Sequence, residues 1–252
     1  MPELQEPSDF DDFWERTFAE CGSGPLEFEC RRVETHLKVL DAFEISWNGF
    51  GATRVYGWLV VPRGMEERLP AVVQYTGYSC GRGMPFDNIG YAVGGYAHFI
   101  IDARGQGWRS PSPTEGTHDI GIHTSGSVPG LMTMGVLDPD SYYYRRLFVD
   151  AVRLLEGVLA HERVDPQRVV VTGGSQGGAM ALAAAALAKC RAVEIAGCAA
   201  DVPFMCHFPR AIGLTDAYPY KEIADYLSTY PQRESQVRTT LSYFDGLSLI
   251  HI

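Results

Sequence analysis

The chain has 252 residues, 46% of them hydrophobic and 21% charged, with a formal charge of −10. This is enough chain and apolar content to bury a sizeable core, which excludes a disordered or fibrous protein. The acidic balance repels phosphate backbones and anionic membrane surfaces, so neither nucleic acid nor membrane is expected as a partner.

The opening MPELQEPSDFDDFWER is acidic and lacks the apolar core of a signal peptide, and the six cysteines, Cys21, Cys30, Cys80, Cys190, Cys198 and Cys206, contain no C-x-x-C pair. The sequence therefore reads as a cytoplasmic protein with free thiols. Behind a Ser8-x-x-Asp11 capping pair, Phe10, Phe13, Trp14, Thr17 and Phe18 recur at helical spacing and predict an amphipathic helix from Ser8 to Cys21. From Leu26 to Pro62 the period becomes two, in Phe43-x-Ile45-x-Trp47 and Val55-x-Gly57-x-Leu59, with Asn48-Gly49 as a turn signal between antiparallel strands.

Beyond Pro70, short apolar runs bounded by glycine alternate with helical stretches, the pattern of βαβ units and a parallel sheet. Strands are predicted at Ala71 to Tyr75, Ala97 to Asp102, Arg168 to Thr172 and Val193 to Cys198. Helices are predicted at Asp140 to Glu162, with Tyr144, Leu147, Phe148, Ala151, Leu154, Leu155, Val158 and Leu159 on one stripe, at Ala179 to Lys189, and over Pro209 to Leu241. The Ala179 to Ala188 stretch is half the length that a membrane span needs. The Ser-, Pro- and Gly-rich run from Arg109 to Asp138 interrupts the βα alternation, and a loop of that length inside a domain is functional or an interface. No linker or repeat divides the chain, so residues 1–252 read as one α/β domain, a mostly parallel sheet with helices on both faces and an N-terminal antiparallel extension.

The strongest chemical motif is Gly173-x-Ser175-x-Gly177, placed between a buried strand and a helix. At such an elbow the nucleophile adopts strained backbone geometry, and Gly173, Gly177 and Gly178 supply the small neighbours it requires. Ser175 then stands at a helix N-terminus, where free N–H groups and the helix dipole favour a developing oxyanion. The backbone N–H of Gln176 is the expected first donor. Neither G-x-G-x-x-G nor G-K-[ST] accompanies the motif, which argues against nucleotide binding. The Gly-rich loop from Tyr75 to Gly83 follows an earlier strand, and the backbone N–H of Tyr78 is assigned as the second donor.

These stretches, AVVQYTGYSCGRG, IIDARGQG, LDPDSYYYRRLFVDAVR, TGGSQGGAMALA, DVPFMCHFPRAI and LSYFDG, resemble in order the acetyl xylan esterase and cephalosporin C deacetylase family of carbohydrate esterases, with the α/β-hydrolase fold. The resemblance implies a serine hydrolase, without a cofactor, that removes acetyl groups from small acetylated sugars, xylo-oligosaccharides and cephalosporin C. It matches Ser175 to the nucleophile, Tyr78 and Gln176 to the oxyanion donors, and Arg104 and Gln106 to an RGQ signature that supports the site. It further implies an intracellular homo-oligomer, a hexamer with its sites facing an inner cavity. The competing readings are a broad carboxylesterase or peptidase of the same fold and a non-catalytic hydrolase relative.

A serine nucleophile also needs a histidine base and an acid, which in this fold follow the serine. After Ser175 the only histidines are His207, in a Pro- and Phe-rich stretch where packing is expected, and His251, in a tail expected to fray. Asp201, Asp216, Asp225 and Asp245 follow at plausible chain positions, but none ends a recognisable late strand. The expectation is therefore that the triad Asp and His are not present in this chain, that Leu247 to Ile252 is not family sequence, and that two strand-and-helix units, about 60 residues, are missing. Such a chain would leave an exposed sheet edge. His118-Asp119 with His123 lacks metal-site spacing, so no metal is expected there. Tyr142 and Tyr143 are open between sugar contacts and core, while Tyr144 is expected in the core.

Overall fold

The computed structural model of the chain describes residues 6–21, 24–110, 116–119 and 129–250. Its first element is helix α1 (Phe10–Cys21). The helix starts after Asp9, whose carbonyl accepts the Phe13 N–H at 2.9 Å, so Asp9 rather than Ser8 stands at the cap. Phe10, Phe13, Trp14, Thr17 and Phe18 are all buried, as their spacing predicts. Trp14 pins the helix: its ring packs on Phe148 and Phe244, and its Nε1 donates to the Tyr243 carbonyl at 3.2 Å.

The period-two region forms β1 (Glu29–Val33), β2 (Leu40–Asn48) and β3 (Arg54–Pro62), paired antiparallel in that order. The alternation divides the side chains between two faces. Ile45, Trp47, Val55, Leu59 and Val61 enter the main core, while Leu40, Ala42, Trp58 and Val60 form a smaller cluster on the opposite face. Asn48-Gly49 does not form a two-residue hairpin. The connection from Gly49 to Thr53 is drawn towards the buried carboxylate of Asp150, which accepts the Phe50 N–H at 2.8 Å.

The chain continues through β4 (Leu69–Tyr75), a short helix α2 (Gly90–Val93), β5 (Ala97–Ile101), α3 (Tyr143–Ala160), β6 (Val164–Gly174), α4 (Gln176–Leu187) and β7 (Gly197–Asp201). The sheet order is β1-β2-β3-β5-β4-β6-β7. The β3–β5 pair is antiparallel, whereas β4–β5, β4–β6 and β6–β7 are parallel. The expected parallel sheet is thus the half that leads to Ser175, and the antiparallel extension makes up the other half. β7 lies later than the predicted Val193 to Cys198, because pairing with β6 sets Gly197 beside Val170 and Asp201 beside Gly174.

Helix α3 is more deeply placed than a one-stripe pattern implies. Every residue from Tyr143 to Leu155 is buried, including Arg145, Arg146, Asp150 and Arg153. Its outer face is covered in part by α1, with Arg145 Nε donating to Thr17 Oγ1 at 2.9 Å and a second guanidinium nitrogen to Glu20. The predicted helical region after β7 is three helices, α5 (Phe208–Leu214), α6 (Tyr220–Thr229) and α7 (Glu234–Ser242), followed by α8 (Gly246–Leu249). In α8, Gly246, Ser248 and Leu249 are buried. Asp245 caps α8 through Leu247 N–H, and its carboxylate also accepts the His207 and Phe208 N–H groups at 2.8 Å each. His251 lies outside the described residues.

The thiols of Cys30, Cys80, Cys190, Cys198 and Cys206 are free. Among the described residues, no helix is long and apolar enough to cross a membrane.

Replacing Trp14 by Ala removes the anchor of α1 and is expected to cost about 3–5 kcal/mol, read as a lower urea midpoint at unchanged slope. Stability is also expected to fall as pH drops. Burial lowers the pKa of both His98 and His161, and His161 Nδ1 accepts the Arg163 N–H at 3.2 Å, which requires a neutral ring. The unfolded chain then binds more protons than the folded one below the ordinary histidine value of about 6.5. The contribution is complete above that value and is lost beneath it, so the urea midpoint should decline between about pH 7 and 5, and less so in His161→Gln.

Candidate active site

The parallel strands β4 and β6 end side by side, with Tyr75 opposite Gly173. Directly after β6 the chain reverses into α4 through a single residue, Ser175, with φ 56° and ψ −119°. That region disfavours an L side chain, and the surroundings impose it. Ser175 N–H donates to the Asp201 carbonyl at 3.1 Å, and its own carbonyl accepts from Ala179 at 3.1 Å and Phe204 at 3.0 Å. The glycines make the reversal possible. A Cβ on Gly177 would collide with the Tyr75 carbonyl, and one on Gly173 would collide with the Gly177 backbone. Ser175 is exposed at this elbow while Gln176 behind it is buried. As the first residue of α4, Gln176 has no acceptor one turn back in the helix for its N–H.

The loop after β4 lies against the same elbow. Gln176 Nε2 donates to the Thr76 carbonyl at 3.4 Å, and Tyr78 follows two residues later. Gln106 braces both parts. Its Oε1 accepts the Ser79 N–H at 2.7 Å, and its Nε2 donates to Gln176 Oε1 at 2.8 Å and to Tyr143 Oη at 2.9 Å. Tyr144 Oη also donates to Gln176 Oε1, at 3.0 Å, and Tyr143 Oη donates to the Arg104 carbonyl at 2.6 Å. The hydroxyls of Tyr143 and Tyr144 thus brace the site from beneath. Tyr142, fully buried like its two neighbours, donates to the Met132 carbonyl at 3.0 Å, so none of the three forms an open sugar-binding wall.

Arg104 lies below this layer, fully buried. Its guanidinium grips both oxygens of Asp150 at 2.6 Å each and reaches Asp119 at 3.2 Å, while Arg146 binds Asp119 at 2.7 Å. The four charges cancel. Burial raises the Asp150 pKa and Arg104 opposes the rise, as expected for a carboxylate that stays buried only because it is paired. The network ties the β2–β3 connection at Phe50, α3 and the Arg104 loop into one unit, and Asp119 is committed to it. His123 lies outside the described residues, and among those described no group of three or more His, Cys, Asp or Glu side chains is placed to hold a metal.

The sequence motifs therefore come together: Ser175, Gln176, Gly173, Gly177, the Tyr78 loop and Gln106 lie at the ends of β4 and β6, with Arg104 beneath them and joined through Tyr143. The sequence leaves Tyr143 open between sugar contact and core and places Tyr144 in the core, where both lie, but it gives no sign of the hydrogen bonds their hydroxyls make. Nor does it mark Glu222, in a helix without a motif, whose Oε1 accepts from the Tyr78 hydroxyl at 2.8 Å.

A family model described as acetyl xylan esterase matches residues 1–252. The acetyl esterase Axe7A of Xylanibacter ruminicola is 27% identical over 206 residues, covering 80% of this chain and 45% of that protein. The chain thus spans less than half the length of this curated relative. Among solved structures, the acetyl xylan esterase from a Paenibacillus species is similar with 38% identity and a TM-score of 0.87, over 98% of this chain and 77% of that one. Acetyl xylan esterase 1 from a Thermoanaerobacterium species is 28% identical, with a TM-score of 0.85 over 98% and 76% of the two chains. The architecture is that of the α/β-hydrolases to which these neighbours belong.

Two substitutions test the elbow. Ser175→Gly relieves the left-handed backbone and is expected to raise stability by about 1 kcal/mol, because the strain it removes exceeds the flexibility it adds. Gly177→Ala forces a methyl onto the Tyr75 carbonyl and is expected to cost about 1–3 kcal/mol. Thermal unfolding of both variants beside the parent chain measures the two opposite shifts.

Proposed function

The chain belongs to the acetyl xylan esterase family, and on that premise we propose that it is a serine carboxylesterase. Its substrates are small acetylated sugars such as xylo-oligosaccharides, together with the acetyl ester of cephalosporin C. The observation that carries this reading is the strained, exposed Ser175 at the N-terminus of α4, beside an N–H of Gln176 that the helix leaves unused.

In the proposed reaction, Ser175 Oγ attacks the acetyl carbonyl and gives up its proton to a general base. The carbonyl oxygen becomes an oxyanion held by the backbone N–H groups of Gln176 and Tyr78. Collapse breaks the bond to the sugar oxygen, which takes the proton from the base and leaves as a hydroxyl, and an acetyl group stays on Ser175. Water then attacks this ester, releases acetate and restores the serine. The base is a histidine oriented by an acid. His207 begins α5 with its N–H on Asp245, and both Asp245 oxygens serve backbone N–H groups, so neither residue is assigned to the triad. We place the base and its acid in the part of the relatives that this chain does not span. From the family resemblance we also propose a cytoplasmic homo-oligomer, a hexamer whose inner cavity admits only small substrates.

The test is acetate release from acetylated xylo-oligosaccharides by the protein with its base in place, measured beside Ser175→Ala. A fall on the order of 10⁶ in turnover is expected. Release that survives the substitution, or cleavage of peptides in place of acetyl esters, overturns the reading. Residues 1–252 alone are expected to hydrolyse p-nitrophenyl acetate slowly. Rapid hydrolysis that vanishes in Ser175→Ala would instead assign the base to a histidine of this chain.

A further inference from the structure

The Tyr78 N–H belongs to a loop rich in glycine, whose backbone is held beside Tyr78 by Cys80 N–H on the Gly77 carbonyl at 3.1 Å, by Arg109 N–H on the Ser79 carbonyl at 3.2 Å and by an isolated bridge between Cys80 and Ser110. Gln106 holds the loop on one side through Ser79 N–H, a residue that itself has φ 73°. On the other side the hold comes through the Tyr78 side chain. Its ring stands edge-on to Trp108 with centroids 5.3 Å apart, and its hydroxyl donates to Glu222 Oε1 at 2.8 Å while accepting the Leu131 N–H at 3.1 Å. Glu222 also accepts the Gly130 N–H on Oε1 at 3.2 Å and the Met132 N–H on Oε2 at 3.1 Å. Three successive amides, with Gly130 at φ 108°, thus close on the Tyr78–Glu222 pair as a nest closes on an anion.

Glu222 belongs to the first turn of α6, which also carries Tyr220. The Tyr220 ring packs on Phe204 at 4.4 Å, and its hydroxyl accepts the Met205 N–H at 3.0 Å. Phe204 N–H in turn donates to the Ser175 carbonyl at 3.0 Å. One helical turn therefore touches both walls of the site, the elbow through Tyr220 and the Tyr78 loop through Glu222.

We propose that Glu222 is a positioning residue that aims the Tyr78 N–H by clamping the Tyr78 side chain to the Gly130–Met132 amides. The inference rests on the esterase reading in so far as it assigns that N–H to the oxyanion. A carboxylate is the group the clamp requires, because it accepts on both oxygens and charge strengthens each bond. Glutamine keeps one acceptor and turns a donor towards Met132 N–H. Burial, followed by the charge of Glu222, pushes the Tyr78 phenol well above its ordinary value, so it remains a proton donor to the carboxylate.

The experiment compares residues 1–252 with Glu222→Gln, Glu222→Ala, Tyr78→Phe and the double variant Tyr78→Phe/Glu222→Gln. Amide hydrogen exchange reports the clamp, and kcat and KM for p-nitrophenyl acetate report the oxyanion geometry, which accelerates hydrolysis even where a triad is incomplete. In Glu222→Gln, exchange is expected to quicken at Leu131 and Met132 and also at Ser79 and Cys80. Its kcat should fall about tenfold with KM within about twofold, a split that a purely structural weakening would not produce. Glu222→Ala should lose more, and the double variant should fall no further than the worse single one, because both substitutions open the same clamp. Unchanged kcat in folded Glu222→Gln, additive losses, or quickened exchange confined to 130–132 overturns the proposal. Should the unsubstituted chain, which lacks the proposed base, show no hydrolysis above buffer, the esterase reading is decided by the protein with its base in place. Exchange then decides the clamp, since unchanged protection of Ser79 and Cys80 in Glu222→Ala overturns it.

Discussion

The approach of α4 to the ends of β4 and β6 is the constraint on which the rest of the structure depends. Gly177 lies against the Tyr75 carbonyl and Gly173 against Gly177, so closely that neither position admits a side chain. With strand and helix in that contact, no loop fits between them, and the reversal falls on one residue. Ser175 therefore takes positive φ, and its backbone bonds to Asp201, Ala179 and Phe204 hold it there. Because the reversal occurs where parallel strands end, the first N–H groups of α4, which have no partner within the helix, lie at those strand ends.

A site of this kind needs rigid surroundings, and here they are polar. The paired amides of Gln106 and Gln176, with the hydroxyls of Tyr143 and Tyr144, span from the Tyr78 loop to the elbow. Directional bonds fix orientation where apolar packing would fix only volume. Arg104 extends the network to Asp150 and Asp119. Buried ion pairs add little net stability once desolvation is counted, but breaking one leaves an uncompensated charge. The arrangement therefore discriminates against other packings of the Arg104 loop, and the Gln106 amide two residues later shares in that restraint.

Some features were legible because their causes are local. The G-x-S-x-G pattern needs its glycines within two residues of the serine, and the period of two between Leu40 and Pro62 reflects which face each side chain takes. Others were only partly legible because their causes are distant in sequence. The turn expected at Asn48-Gly49 does separate β2 from β3, but its length is set by Asp150, which holds Phe50. The stripe on α3 is part of a helix buried on every side from Tyr143 to Leu155, where α1 covers part of its outer face. The tie between the start of α8 and the start of α5, in which the Asp245 carboxylate accepts the His207 and Phe208 N–H groups, likewise leaves no local pattern.

By itself the sequence determined the local chemistry: which residue is the strained serine, which glycines permit it, and which Gly-rich loop follows the neighbouring strand. It also determined the acidic surface and the two hydrophobic periods that separate the antiparallel from the parallel half of the sheet. Only the tertiary structure decided what steadies the site. Glu222, Tyr143, Tyr144 and Asp150 come from helices far apart in the chain, and a hydrogen bond between distant residues leaves no periodicity or spacing in sequence. Their roles follow from where α3 and α6 pack, which burial of the whole core sets and no single segment encodes.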